Sequence, residues 1–487
     1  MLILKQLNFY IIFSTLILIF PATSHAERLA LPEIGESAAA LVTPVEEYET
    51  GKAVLRNIRR AGGILEDPLL EEYINNLGYS LLANSSSGMK NFQFFMLNDK
   101  NINAFALPGG FIGINYGLFL HTASESELAS VFAHEIAHVT QRHHARRYEL
   151  GNQSNIPAVA AMIAAIILGN GNFDVTHAAL ATMAATSIQK QLDFTRENEK
   201  EADHMGIALL ADSGFDPYSM AGFFETLERN SRLYGAQAPE FLRTHPVNQT
   251  RIADARNRAS QLPARPMSQQ QSYLLMQKRL QVLTSKDKQQ TLRAFEKNIN
   301  SGNYLDQNAE NYGYALALIE NKQYDKSRQI IKSLLEKDSQ RIAYMMALTD
   351  LESQAGNHKV ALQLYNNALA SYPGNYPLTQ NYIEALLRAQ QYQTAQTILH
   401  TYLRTHYDKP VMYQLLSQTE NKLGHDADAQ AALGEYYFLI GQQHQAITQL
   451  TLALKTEGLS FYDNTRIEAR IKQIQEEIIR LKEIFKE

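Results

Sequence analysis

Two histidines four residues apart flank a carboxylate in the segment His134-Glu135-Ile136-Ala137-His138. On an α-helix, positions i and i+4 share a face, about 6 Å apart along the axis. Imidazoles so placed can converge on one ion, and zinc accepts imidazole nitrogen at about 2.0–2.1 Å. Glu135 stands beside them, where a carboxylate can take the proton of a metal-activated water. Chance alone yields this motif in such a chain at odds of roughly 2%, so its setting decides its meaning. The flanks supply a helix: Ser124 to Leu150 reads as one, opened by a capping box of Ser124 and Glu127. Leu128, Val131, Phe132, Ile136 and Val139 recur along it at helical spacing.

A catalytic zinc takes three protein ligands and keeps one position open. The chain has no cysteine, so the third ligand is His, Asp or Glu. Residues 198–204, Asn-Glu-Lys-Glu-Ala-Asp-His, predict a second helix running to Ala211 and ending near Gly214. Glu199 and Asp203 share a face there. One carboxylate can bind the metal while Asp203 accepts a hydrogen bond from a histidine ligand and fixes its tautomer. On residue type alone, Glu201 rivals Glu199.

His245, before Pro246, has three readings: a fourth ligand that displaces water and holds the enzyme latent, a group that stabilises an oxyanion, or a turn residue. Arg251 can orient a substrate carbonyl or pair with an acid of the site. Asn103, Ala104, Phe105 and Ala106 predict an edge strand near the metal, able to hold an extended peptide by its backbone. His143 and His144 lie too far along the helix to be ligands and are read as supporting or surface groups, with His121, His177 and His204 on the surface.

The rest of the chain must position these groups. Its 487 residues imply more than one domain, and a net charge of −5 argues against a nucleic-acid partner. Lys5, the apolar run Tyr10–Phe20 and Ser24-His25-Ala26 form a signal peptide, with cleavage after Ala26 and export expected. Residues 27–50 read as a polar lead-in. Two short apolar runs within 158–188 read as a helical hairpin over the cleft rather than a membrane span. Ser260 to Gln271 reads as a linker.

Beyond it, the pattern small–apolar–apolar at +4 and +7 repeats every 34 residues. It is carried by Ser327, Ile331 and Leu334, by Ala361, Tyr365 and Ala368, and by Ala395, Leu399 and Tyr402. A later unit, with Leu433, Gly434 and Tyr437 ahead of Ala446, Leu450 and Ala453, stands 51 residues on from Ala395, out of frame by half a repeat. Small residues let paired helices cross closely, and no pair buries its apolar face alone. This resembles the tetratricopeptide repeat over about 305–457.

The first half resembles the gluzincin metallopeptidases of the prenyl-protein protease and HtpX type. The resemblance is carried by His134 to His143 (HEIAHVTQRH), Glu197 to Asp203 (ENEKEAD), Asn103–Ala106 with Pro108-Gly109-Gly110, and Thr244-His245-Pro246 with Arg251. It implies one zinc per chain held by His134, His138 and Glu199, with Asp203 orienting a ligand. Joined to repeats, the chain is similar to periplasmic proteases of outer-membrane protein quality control. That implies unfolded or misassembled outer-membrane proteins as clients, contact with the β-barrel assembly machinery through the repeats, and peripheral contact with the outer membrane. The competing reading is a repeat-based chaperone or scaffold with little or latent proteolysis.

The expected fold is mostly α. Signal peptide 1–26 precedes an α+β zincin-type domain at 27–263 with a small sheet, a helical linker at 264–304, and an all-α repeat solenoid with a capping helix at 305–487.

Overall fold

The computed structural model describes residues 43–85, 91–150, 185–234, 239–263 and 271–485. The signal peptide and most of the apolar hairpin lie outside them. Among the described residues, no helix is long and apolar enough to cross a membrane.

The chain is mostly helical with one small sheet. Helix α1 (Pro44–Arg60) begins inside the stretch expected to be a lead-in, because Thr43 and Glu46 close a full capping box and Pro44 starts the first turn. Helix α2 (Pro68–Leu82) is capped by Asp67. Strands β1 (Gln93–Leu97), β2 (Ala104–Leu107) and β3 (Phe111–Asn115) form a sheet in the order β1-β3-β2, with β1 parallel and β2 antiparallel to the central β3. Strand β2 is therefore an edge. Short α3 (Tyr116–His121) leads to α4 (Glu125–Thr140).

Helix α4 carries the histidine motif and is buried on all sides from Leu128 to Val139. It packs on β2, on α2, on α6 (Ala185–Asp212) and on α7 (Ser219–Tyr234). Its cap is half a capping box: Ser124 accepts from the Glu127 amide, but Glu127 reaches the amide of Ala123 instead. The single helix expected to Leu150 is broken. Arg142 takes a left-handed φ of 50°, and α5 (His143–Leu150) restarts in a new direction. Short α8 (Phe241–Thr244) and α9 (Gln249–Ala259) complete this part.

The second half opens with α10 (Gln271–Leu283) and α11 (Lys288–Ser301). Then come α12 (Gln307–Glu320), α13 (Tyr324–Lys337), α14 (Ile342–Gln354), α15 (His358–Ser371), α16 (Tyr376–Arg388) and α17 (Tyr392–Leu403). The chain ends with α18 (Pro410–Leu423), α19 (Asp426–Leu439), α20 (Gln443–Leu454) and α21 (Phe461–Phe485). The repeat residues are the buried ones: on α13 Ser327, Ile331 and Leu334, on α15 Ala361, Tyr365 and Ala368, on α17 Ala395, Leu399 and Tyr402. The solenoid folds back on the first half. Helices α10 and α16 both pack on α2, and one apolar cluster runs from Leu69 through Tyr273 to Leu378. Asp67 receives a forked hydrogen bond from Arg279 at 2.7–3.0 Å, and Arg56 of α1 pairs with Glu477 of α21.

Candidate metal centre

Helices α4 and α6 cross closely at Gly206, where a Cβ would stand 3.2 Å from the His134 amide nitrogen. That approach brings Glu199, about two turns earlier on α6, to the histidine face of α4. His134 Nε2 and His138 Nε2 are 3.0 Å apart. Glu199 puts one oxygen 3.5 Å from His134 Nε2 and the other 3.3 Å from His138 Nε2. From the loop after α8, His245 Nδ1 lies 3.0 Å from Glu199 and 3.3 Å from His134 Nε2. His134, His138, Glu199 and His245 are all buried.

These separations fit a metal. Ligand atoms about 2.0–2.1 Å from a tetrahedral ion stand about 3.3 Å from one another. The electrostatics agree. Burial alone would push His134 down, but hydrogen bonds to Asp203 and Glu199, and their charge, carry it up to about 10. Burial pushes Glu199 up, and the charge of His245 with hydrogen bonds from His134, His138 and His245 outweighs it, holding the carboxyl well below the usual range. Carboxylates that hold protons on buried imidazoles in this way offer a cation the same site in exchange for protons.

Each α4 imidazole is backed by a relay that ends on an arginine. His134 Nδ1 lies 3.1 Å from Asp203 Oδ1, and Arg251 grips both Asp203 oxygens at 2.8 Å. Burial favours a neutral Asp203, but His134 and Arg251 outweigh it and keep the carboxyl low. Arg251 also reaches Glu199 at 3.0 Å and rests over the Phe224 ring. On the other side, His138 Nδ1 meets His143 Nδ1 at 2.8 Å, His143 Nε2 lies 3.2 Å from Glu201, and Arg146 closes on the same Glu201 oxygen at 2.6 Å. Burial and the neighbouring His138 push His143 down to about 2, so it is neutral. A neutral His143 that donates from Nε2 to Glu201 must accept at Nδ1, so the network assigns the Nδ1 proton to His138 and leaves its Nε2 lone pair free for a metal.

Glu135 lies beside the same group. Its Oε1 is 3.5 Å from His245 Nε2 and has no hydrogen-bond partner. Asn103 to Ala106 sit at the start of the edge strand β2, which packs on α4, and the buried Asn103 side-chain oxygen is likewise unpartnered. Glu201, the rival ligand, points to His143 and Arg146 instead. His121 and His204 are exposed, and His177 lies outside the described residues.

Some neighbours carry no signal in the sequence. Phe241 stacks on His245 at 4.7 Å, and Glu47 of α1 reaches over to Arg142 at 3.3 Å. Only the four-residue spacing of Phe241 and His245 could have suggested the first.

A buried His-His-Glu set with a free carboxylate beside it, carried on a crossed helix pair with an edge strand alongside, defines a metallopeptidase. The model of peptidase family M48 matches residues 68–259, and a tetratricopeptide-repeat model matches 353–419. The beta-barrel assembly-enhancing protease of Escherichia coli K12 is 36% identical over 459 residues, covering 94% of this chain and 92% of its own. The protein of the same name from Yersinia pestis is 34% identical over 480 residues, covering 97% and 98%. A Vibrio cholerae relative described in like terms is 37% identical over 455 residues, covering 93% and 94%. The chain belongs to the beta-barrel assembly-enhancing proteases, peptidase family M48 enzymes with a tetratricopeptide-repeat half. That family implies a divalent metal.

Proposed function

We propose that the chain is a periplasmic zinc endopeptidase acting on misfolded or stalled outer-membrane β-barrel proteins, its repeats recruiting clients or the assembly machinery. The observation that carries the chemistry is the convergence of His134, His138 and Glu199 beside the unpartnered Glu135. The client class rests on the printed names of relatives that share almost the whole chain length. The His-His-Glu donor set favours zinc among common divalent ions.

Zinc, when bound, supplies Lewis acidity toward the scissile carbonyl and toward water. The chain's own residues do the rest. Glu135 takes the proton of the attacking water and passes it to the leaving amine. Asp203 and His143 hold the two imidazoles in the tautomer that faces the metal. The edge of β2 holds the client strand in extended form.

His245 supports a second element of this reading. Its Nδ1 stands 3.3 Å from His134 Nε2 and 3.0 Å from Glu199, so it serves as a fourth ligand that holds the isolated enzyme latent.

The test is degradation of an unfolded β-barrel protein by the mature chain from Glu27 beside Glu135→Gln, with metal counted in both. Loss of about 100-fold or more in rate with one zinc retained supports the reading. A chain that binds no metal, or a client-protecting activity that survives Glu135→Gln with no proteolysis by either even when His245→Ala is added, turns the reading toward a scaffold; cleavage released only by His245→Ala supports latency.

A further inference from the structure

Buried carboxylates in this molecule are almost always matched to a guanidinium or ammonium. Among the described residues, Glu47 has Arg142, Asp67 has Arg279, Glu310 has Lys278, Glu352 has Arg328 and Glu477 has Arg56. Glu199 and Asp203 share Arg251. Among the described residues, two buried acids have only histidines as ionic partners: Glu135 at the metal centre, and Glu420 in the last turn of α18.

Glu420 is 1% exposed. His425, the residue that precedes α19, puts Nδ1 at 2.8 Å from one oxygen, and His400 of α17 puts Nε2 at 2.9 Å from the other. Asp428, in the first turn of α19, brings a carboxylate into the same group: ligand atoms of Glu420, His425 and Asp428 all lie within 4.8 Å of one another. The Gln396 amide donates to Glu420 at 2.8 Å. The His425 and Asp428 side chains are about half exposed, so the group opens to solvent on one side.

A buried carboxylate needs a countercharge, and no arginine or lysine is paired with Glu420 among the described residues. A divalent cation within the group meets the requirement, and an imidazole with two carboxylates is a donor set that zinc accepts. We propose that Glu420, His425 and Asp428 form a second zinc site, in the solenoid, with His400 as a positioning residue on the free oxygen of Glu420. The ligands come from the last turn of α18, the junction before α19 and the first turn of α19, and the positioning residue from α17, so the ion ties successive helices together. This site is independent of the peptidase reading.

The test counts zinc on the full mature chain after equilibrium dialysis against buffered free zinc. Two equivalents are expected for the wild type, the second at least about tenfold weaker, since two of its ligands remain half hydrated. Glu420→Gln should hold one equivalent with proteolysis unchanged. Should that variant misfold, the exposed pair His425→Gln/Asp428→Asn should also hold one. His400→Gln should weaken the second equivalent about tenfold without removing it. A zinc content on the saturated wild type that neither Glu420→Gln nor the paired substitution lowers overturns the proposal, whether it is one equivalent or two.

Discussion

At the residue scale, the centre is organised by what stands behind the ligands. His134 leans on Asp203 and Arg251, and His138 on His143 and Glu201. Removing His143 frees His138 to rotate and to take the wrong tautomer. His143→Ala should therefore lower zinc affinity about 10–100-fold, read by competition with a chelating dye, while Glu201→Gln, which leaves the imidazole in place, should cost less. His245 works in the opposite sense. As the proposed fourth ligand it would compete for the position that water must take, so His245→Ala should raise cleavage of an unfolded client, by about tenfold if displacing it costs about 1.4 kcal/mol. A fall in rate with zinc retained would instead assign His245 to the transition state. The sequence held the ligand histidines, Glu199 and Asp203 in view through spacing and resemblance. It could not show the second relay, because His143 meets His138 only after Arg142 turns the chain out of the helix.

At the element scale, two helix crossings depend on the absence of a side chain. Gly206 lets α6 come against α4 at the His134 amide. Gly206→Val would press its methyls on backbone as well as on Met220, at a cost of about 1–3 kcal/mol in denaturant unfolding. The same displacement would draw Glu199 from the imidazoles, so zinc affinity should fall with stability. Weakened unfolding with unchanged affinity would show that the crossing does not set the ligand distance. In the solenoid, Gly434 performs the equivalent service, its Cβ position lying 2.8 Å from Leu450 Cγ. Helix α19 packs on both α18 and α20. It buries Ala429, which is 34 residues after Ala395, against one neighbour's frame, and Gly434 against the other's. One shared helix thus serves two pairs and accounts for the 51-residue spacing as one and a half repeats. The periodicity was legible from small and aromatic residues, but the sharing was not, since α19 satisfies both registers with different faces.

At the scale of the whole molecule, the helices after the proline-containing stretch pack back onto the first half. Helix α10 follows that stretch, yet Tyr273, Leu274, Leu275, Met276 and Leu280 are buried in the apolar cluster that holds α2 and α4. Tyr273 donates to the Thr122 carbonyl just before the metal helix, and Arg279 grips the cap of α2. Burial of a large apolar side chain is worth about 1.5–3 kcal/mol, so these five represent about 8–15 kcal/mol as an upper figure, shared between the two halves. Whole domains are stable by only about 5–15 kcal/mol. A chain cut after residue 263 should therefore lose cooperative thermal unfolding or self-associate through the bared α2 face, while one cut after Ser301, keeping α10 and α11, should retain more of both fold and bound zinc. Size-exclusion chromatography with calorimetry on the two truncations decides it. Equal behaviour of the two would mean that α10 stabilises the solenoid alone. The predicted difference would mean that any force on the repeats is felt, through α10 and α2, at the helix that carries the metal.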